Sequence, residues 1–327
     1  MKTADKAREV ISRVAAGEPV QKVKKLLSTD AAEWGRISAK AYRIWLDEAK
    51  KKRSEDLRNS CVVATSNKAI REIISINERL ADFALCIPAI SNQSDVEMAR
   101  LLLRHLPGSE AQMLSLIERM AMEPRIRALQ NVGRVRHFPA FKGFAGIVEA
   151  ATLSYYRSNY VSAYLTLVPV IEGAILRWSG FVGIGEKPEF EIIRKFFAHS
   201  HVRQPCPANP LFYEVFAKAC DRIINDHLYK PSAKGCAHSE FNRHQAAHLL
   251  RDAEFATREN CIRLFLLLDT MAELYLYETS CPDPRWSLTD QDVEPEVSIY
   301  RSLVAEASSL DAPERVLLDR RKRVAQA

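Results

Sequence analysis

Between Asn159 and Trp178, apolar residues return at steps of three and four. Val161, Tyr164, Val168, Ile171, Ile175 and Trp178 form one row, and Tyr160, Ala163, Leu167, Val170 and Ala174 form a second beside it. Such steps bring side chains back to one face of an α-helix. Two adjacent rows predict a helix over 159–178 that is buried on most sides, with Pro169 kinking it. The same rhythm predicts helices over 4–16, 30–52, 66–85, 94–106 and 109–123, and again over 140–157, 187–200 and 209–227. Ser94 and Glu97 have capping-box spacing, and Pro107-Gly108 is a break. Thr257 stands where a cap is needed for a long apolar helix, Arg258–Glu278. Residues 229–239 read as loop and 282–295 as a polar, proline-bearing linker, before a last helix or tail ending in Arg320-Arg321-Lys322-Arg323.

Composition agrees with that pattern. Hydrophobic residues make up 47% of the 327, enough for a core, and there are only 11 glycines, few for a chain rich in turns or phosphate loops. The expected fold class is all-α, a multi-helix bundle. The cluster Gly180–Gly185 follows a helix rather than a strand and reads as a loop, not a nucleotide fingerprint. Glu18 to Ala41 has weak helix-turn-helix spacing, which short amphipathic helices also produce. The seven cysteines are scattered and form no Cys-x-x-Cys. With a charged start, Met1 to Lys6, and a most apolar window (Cys261 to Tyr277) that is short and carries charges, this points to a cytoplasmic protein with no membrane span. Net charge is +6, compatible with nucleic acid as a partner without requiring it. The terminal basic run reads as solvated surface or as an RNA contact.

The candidate chemistry lies in Phe241-Asn242-Arg243-His244-Gln245-Ala246-Ala247-His248. Cutting RNA without a metal requires a proton taken from the 2′-hydroxyl, charge offset at the phosphorus and a proton given to the 5′-oxygen. Histidine titrates near neutrality and suits the proton work. Arginine presents a fixed, charged fork that matches two phosphate oxygens. Arg243 and His248 supply that minimum set, and His244 shares a helix face with His248. Glu172 is the only acid between Tyr160 and Leu176. Buried there it needs a partner, either Arg243 or a histidine of the run, or else Arg177 at the helix surface. Asp269, within an apolar stretch, is expected on an exposed polar face with Glu273.

These residues resemble the HEPN superfamily (higher eukaryotes and prokaryotes nucleotide-binding domain). The likeness rests on Asn242-Arg243-His244 with His248, on Thr257-Arg258-Glu259-Asn260 leading into Arg263–Asp269, and on the upstream Asn159–Ala163 helix that reaches Glu172. It covers about residues 140–280. Leu249 follows the last histidine where relatives often have glycine. The resemblance implies an all-α bundle that dimerises with two motifs facing one cleft. It also implies a metal-independent endoribonuclease needing no cofactor, of toxin–antitoxin or phage-defence type, leaving a 2′,3′-cyclic phosphate. Arg243 would bind the scissile phosphate, His248 would move a proton, His244 would assist, and Glu172 would hold Arg243 or a histidine. RNA, a second copy and an antitoxin or regulatory partner are the implied partners.

The expected organisation is residues 1–137 as a helical region of unassigned role, 138–281 as the HEPN-like core, and 282–327 as linker and basic tail. Two other readings stay open. Cys236, His238, His244 and His248 fall within thirteen residues and could hold zinc. Alternatively the run is a structural ion-pair network in a non-catalytic module that binds protein, nucleotide or nucleic acid. No nucleophile elbow, nucleophilic cysteine context or aspartate cluster competes with these.

Overall fold

The computed structural model describes residues 2–64, 68–87, 93–181, 183, 188–230, 241–248, 255–309, 311–314 and 316, apart from the side chains of 54, 57–64, 68–70, 93, 245, 247 and 248. It is all-α, and the described residues hold no strand. The chain divides into two compact units, Met1–Val63 and Ala64–Ala327.

In the first unit, α1 (Thr3–Ala15), α2 (Val20–Leu27) and α3 (Ala31–Ala64) surround a small core of Ala7, Val10, Val23, Ile37 and Ala41. Asp30 Oδ1 accepts from the Glu33 amide at 2.7 Å, and Glu33 Oε2 accepts from the Thr29 amide at 2.7 Å. These bonds satisfy donors that the first turn of α3 would otherwise leave open. Glu33 also pairs with Lys6 at 2.5 Å, tying α3 to α1.

The second unit begins with α4 (Lys68–Leu80), α5 (Gln93–Leu103), α6 (Glu110–Met122) and the short α7 (Pro124–Ala128). Because α5 starts at Gln93, Ser94 lies inside its first turn rather than at the cap. Next come α8 (Ala145–Tyr156), α9 (Tyr160–Trp178), the short α10 (Phe190–Lys195) and α11 (Ser200–Arg203), and α12 (Pro210–Arg222). The series closes with α13 (Arg243–His248), α14 (Arg258–Thr279) and α15 (Asp290–Ala307). Residues from Ile76 to Leu303 share one core.

The centre of that core is α14. Every residue from Asn260 to Leu274 is buried, so the helix is enclosed on all sides by neighbours that include α6, α9 and α12. Its start is where the sequence places it: Thr257 Oγ1 accepts from the Asn260 amide at 3.1 Å. Beside it, α9 is capped by Asn159, whose side chain accepts from the Ser162 amide, and it contains Pro169. By length and composition α9 could cross a bilayer. Here Ala163, Tyr164, Leu167, Ile171 and Ala174 are buried against protein.

Two described helices change winding at their C-terminal ends. Leu129–Val135 continues α7, and Ile223–Leu228 continues α12, both as π-turns. The stretch 282–295, expected to be a linker, is ordered structure. Asp283 caps a 3₁₀ turn at Pro284–Ser287, Thr289 and Asp292 form a capping box, and α15 contains Pro295 within its length. Val293, Val297, Tyr300 and Leu303 carry α15 onto the core.

Candidate functional site

Arg243 opens α13, and its position follows from the residue before it. Asn242 is 2% exposed. Its Oδ1 accepts from the His244 amide at 2.9 Å, which is the role of an N-cap side chain. Its Nδ2 donates to the Lys230 carbonyl at 2.6 Å, fastening the start of α13 to the chain just beyond the second π-turn. Phe241 is fully buried against Tyr164 of α9, and Ala246 is buried one turn on. Anchored on both sides of Arg243, the helix has little freedom to rotate.

The Arg243 guanidinium then meets α9. Nη2 lies 3.0 Å from Glu172 Oε2, with the arginine side chain 32% exposed and the glutamate 12%. Two rings complete the setting: the guanidinium carbon sits 5.4 Å from the centres of both Phe190 and Tyr229, which are themselves 5.1 Å apart. Arginine over aromatic faces is held by the ring quadrupoles as well as by the carboxylate. The Tyr229 hydroxyl is buried with no hydrogen-bond partner among the described residues. Burial, then the nearby Glu172 charge, push its pKa up, so it stays a neutral phenol. Arg243 is thus in contact with Glu172, while Arg177 lies over the Phe144 ring at 4.4 Å. Gly173 lets Phe144 sit there, since a Cβ would come 2.6 Å from the ring.

His244 is exposed on α13. His248 ends α13, but its side chain lies outside the described residues, as do Cys236 and His238. Three of the four ligands of the zinc reading are therefore undescribed. Among the described residues no group of three His, Cys, Asp or Glu gathers as a metal site.

Asp269 and Glu273 correct the expectation of an exposed polar face. They are 7% and 8% exposed and face arginines from the first π-turn region. Arg127 grips Asp269 with both nitrogens, at 2.6 and 3.0 Å. Arg134 bridges Glu273 and Asp283, the latter at 2.7 Å, and Arg285 joins Asp283 at 2.7 Å. Tyr277 donates to Glu273 at 2.7 Å. The expectation failed because the counter-charges lie far away in the chain, at 127, 134 and 285. Unpaired, such acids could only have stood at the surface. A cavity of about 300 Å³ opens beside this network. Sequence reasoning missed it entirely, and the one available signal was a pair of acids inside an apolar helix.

No family model matches the chain, and comparison with curated proteins and with solved structures found no match.

Proposed function

We propose that this protein is a metal-independent endoribonuclease of HEPN type, with Arg243 as its phosphate-binding group. One observation supports this above the rest. Glu172 and two rings fix the Arg243 fork, yet a third of the side chain faces solvent. A guanidinium has five donors, and one carboxylate contact leaves others for a phosphate. Because the orientation is fixed before RNA arrives, little ordering is required on binding or in the transition state.

In this reading the 2′-oxygen attacks phosphorus as a base removes its proton, and the bond from phosphorus to the 5′-oxygen breaks as that oxygen takes up a proton. The products are a 2′,3′-cyclic phosphate and a 5′-hydroxyl. Arg243 offsets charge on the phosphorane oxygens, His248 serves as a proton carrier, His244 assists, and Glu172 positions Arg243. The net charge of +6 favours approach of RNA. A second copy of the chain would bring a second Arg243 and His248 to the cleft. The biological setting is toxin or phage-defence effector in the cytoplasm, with an antitoxin or trigger as regulatory partner.

The test is cleavage of RNA by the purified chain in excess EDTA, beside Arg243→Ala and His248→Ala. The expected result is cleavage by the parent with cyclic phosphate ends and loss in both variants. Cleavage that both variants retain, or that EDTA abolishes, overturns the reading.

A further inference from the structure

The cavity beside the buried charge network has three features that the ion pairs alone do not explain. First, it is lined by Gln130 and Arg134 from a π-turn. A π-turn widens a helix at the expense of regular hydrogen bonding and concentrates at functional sites. Second, Gln130 is 7% exposed, and its Oε1 has no hydrogen-bond partner among the described residues. A buried amide left open costs stability unless something completes it. Third, Trp286 lines the same cavity while 79% of it faces solvent. An indole that could have packed inward instead stands at the rim, where it can close over a bound ring.

We propose that this cavity is a binding site for a small, neutral, planar nitrogen heterocycle carrying a hydrogen-bond donor beside an acceptor on one edge. The charge argument selects neutrality. Of the ionised groups lining the cavity, Arg134 and Arg285 balance Asp269 and Glu273, and each already faces an opposite charge in the network. A charged ligand would enter with nothing left to neutralise it. The amide argument selects the edge. A glutamine side chain offers one donor and one acceptor side by side, and pairs two-pronged with a ring presenting the complement. The indole and Phe216, which also lines the cavity, select a flat, stackable ring. The volume, about 300 Å³, lies at the small end of the range for such sites. This site shares no lining residue with the Glu172–Arg243 pair and stands independently of the ribonuclease reading.

The experiment titrates the full chain at pH 7 with adenine and with nicotinamide, and with benzoate and benzylamine as charged probes of similar size. Binding is read by tryptophan fluorescence and by calorimetry. At least one neutral probe is expected to saturate, with the charged probes weaker by about tenfold or more. Trp286→Ala, at an exposed position that leaves folding intact, should weaken calorimetric binding about tenfold, the loss of one stacking contact. Gln130→Leu should weaken it about as much while keeping or raising the melting temperature of the ligand-free parent, since it removes the unpartnered buried amide. Absence of saturable binding by both neutral probes up to their solubility overturns the proposal. So does binding unchanged by Trp286→Ala or by Gln130→Leu, or tighter binding of a charged probe.

Discussion

Arg127 and Asp269 meet as a fork on a carboxylate, with Nη1 3.0 Å from Oδ2, Nη2 2.6 Å from Oδ1, and the arginine wholly buried. Burial disfavours the Asp269 charge and raises its pKa even though Arg127 pulls it down. The pair therefore matters most for what either half would do alone. Arg127→Met is expected to cost about 3–5 kcal/mol by leaving a carboxylate unpaired in the core, whereas Arg127→Met with Asp269→Leu should recover most of that loss. Urea denaturation of the parent, the single and the double variants checks this.

Acid sensitivity should centre on Asp283. Burial opposes its charge, but hydrogen bonds from Arg285 and Arg134 outweigh it and hold the pKa down at about 2, below the ordinary 3.8. A carboxylate depressed on folding adds stability above its unfolded pKa, and that stability is lost as pH falls through the folded one. Between pH 4 and 2 the parent should lose stability more steeply than Asp283→Asn. Glu33 in the first unit, also held at about 2, adds a slope of the same sign to both proteins, so the difference between them isolates Asp283. Equal slopes in thermal melts across that window would contradict the assignment.

Gly133 controls how closely the first π-turn approaches the turn at Pro284–Ser287. A Cβ there would fall 2.6 Å from Arg285 Cγ and 3.3 Å from its Cα. Gly133→Ala is expected to push Arg285 off Asp283 and cost about 1–3 kcal/mol, the range for overpacking a tight contact. Ala at Gly146, where a Cβ meets nothing within 4 Å, is the control and should leave the melting temperature nearly unchanged.

How much of this was legible in the sequence depended on distance along the chain. The helices α9 and α14 were readable because their signals are local: rows of apolar residues at helical steps, with Asn159 and Thr257 as caps. The Val293, Val297, Tyr300 and Leu303 row of α15 was equally local. It was obscured by Pro295 and by the acids of the first turn, which made 282–295 look like a linker. Glu172 was legible as an acid out of place on an apolar helix. Its link to Arg243 could only be left open, because contacts across 71 residues depend on tertiary packing. The same holds for Arg127 and Arg134. Nothing near them in the chain distinguishes a buried arginine from one on the surface, and only their partners at 269, 273 and 283 do so.

The Arg243–Glu172 pair offers the sharpest separation of binding from positioning. Arg243→Lys keeps the charge but loses the planar fork that meets the Glu172 carboxylate and, in the ribonuclease proposed above, would meet a phosphate. It is expected to slow single-turnover RNA cleavage about 100-fold or more, the scale of losing one transition-state donor. The change in melting temperature should be small, because the side chain is already one-third exposed. Glu172→Gln leaves the fork intact but no longer charge-paired, so it should lower the cleavage rate by less while weakening RNA binding little. If Glu172 acts only through Arg243, the double variant should be no slower than Arg243→Lys alone, since the effects of residues that work as a unit do not add. Additive losses would instead mean that the carboxylate touches the reaction by a separate route, and that proton transfer at this site is not the work of histidine alone.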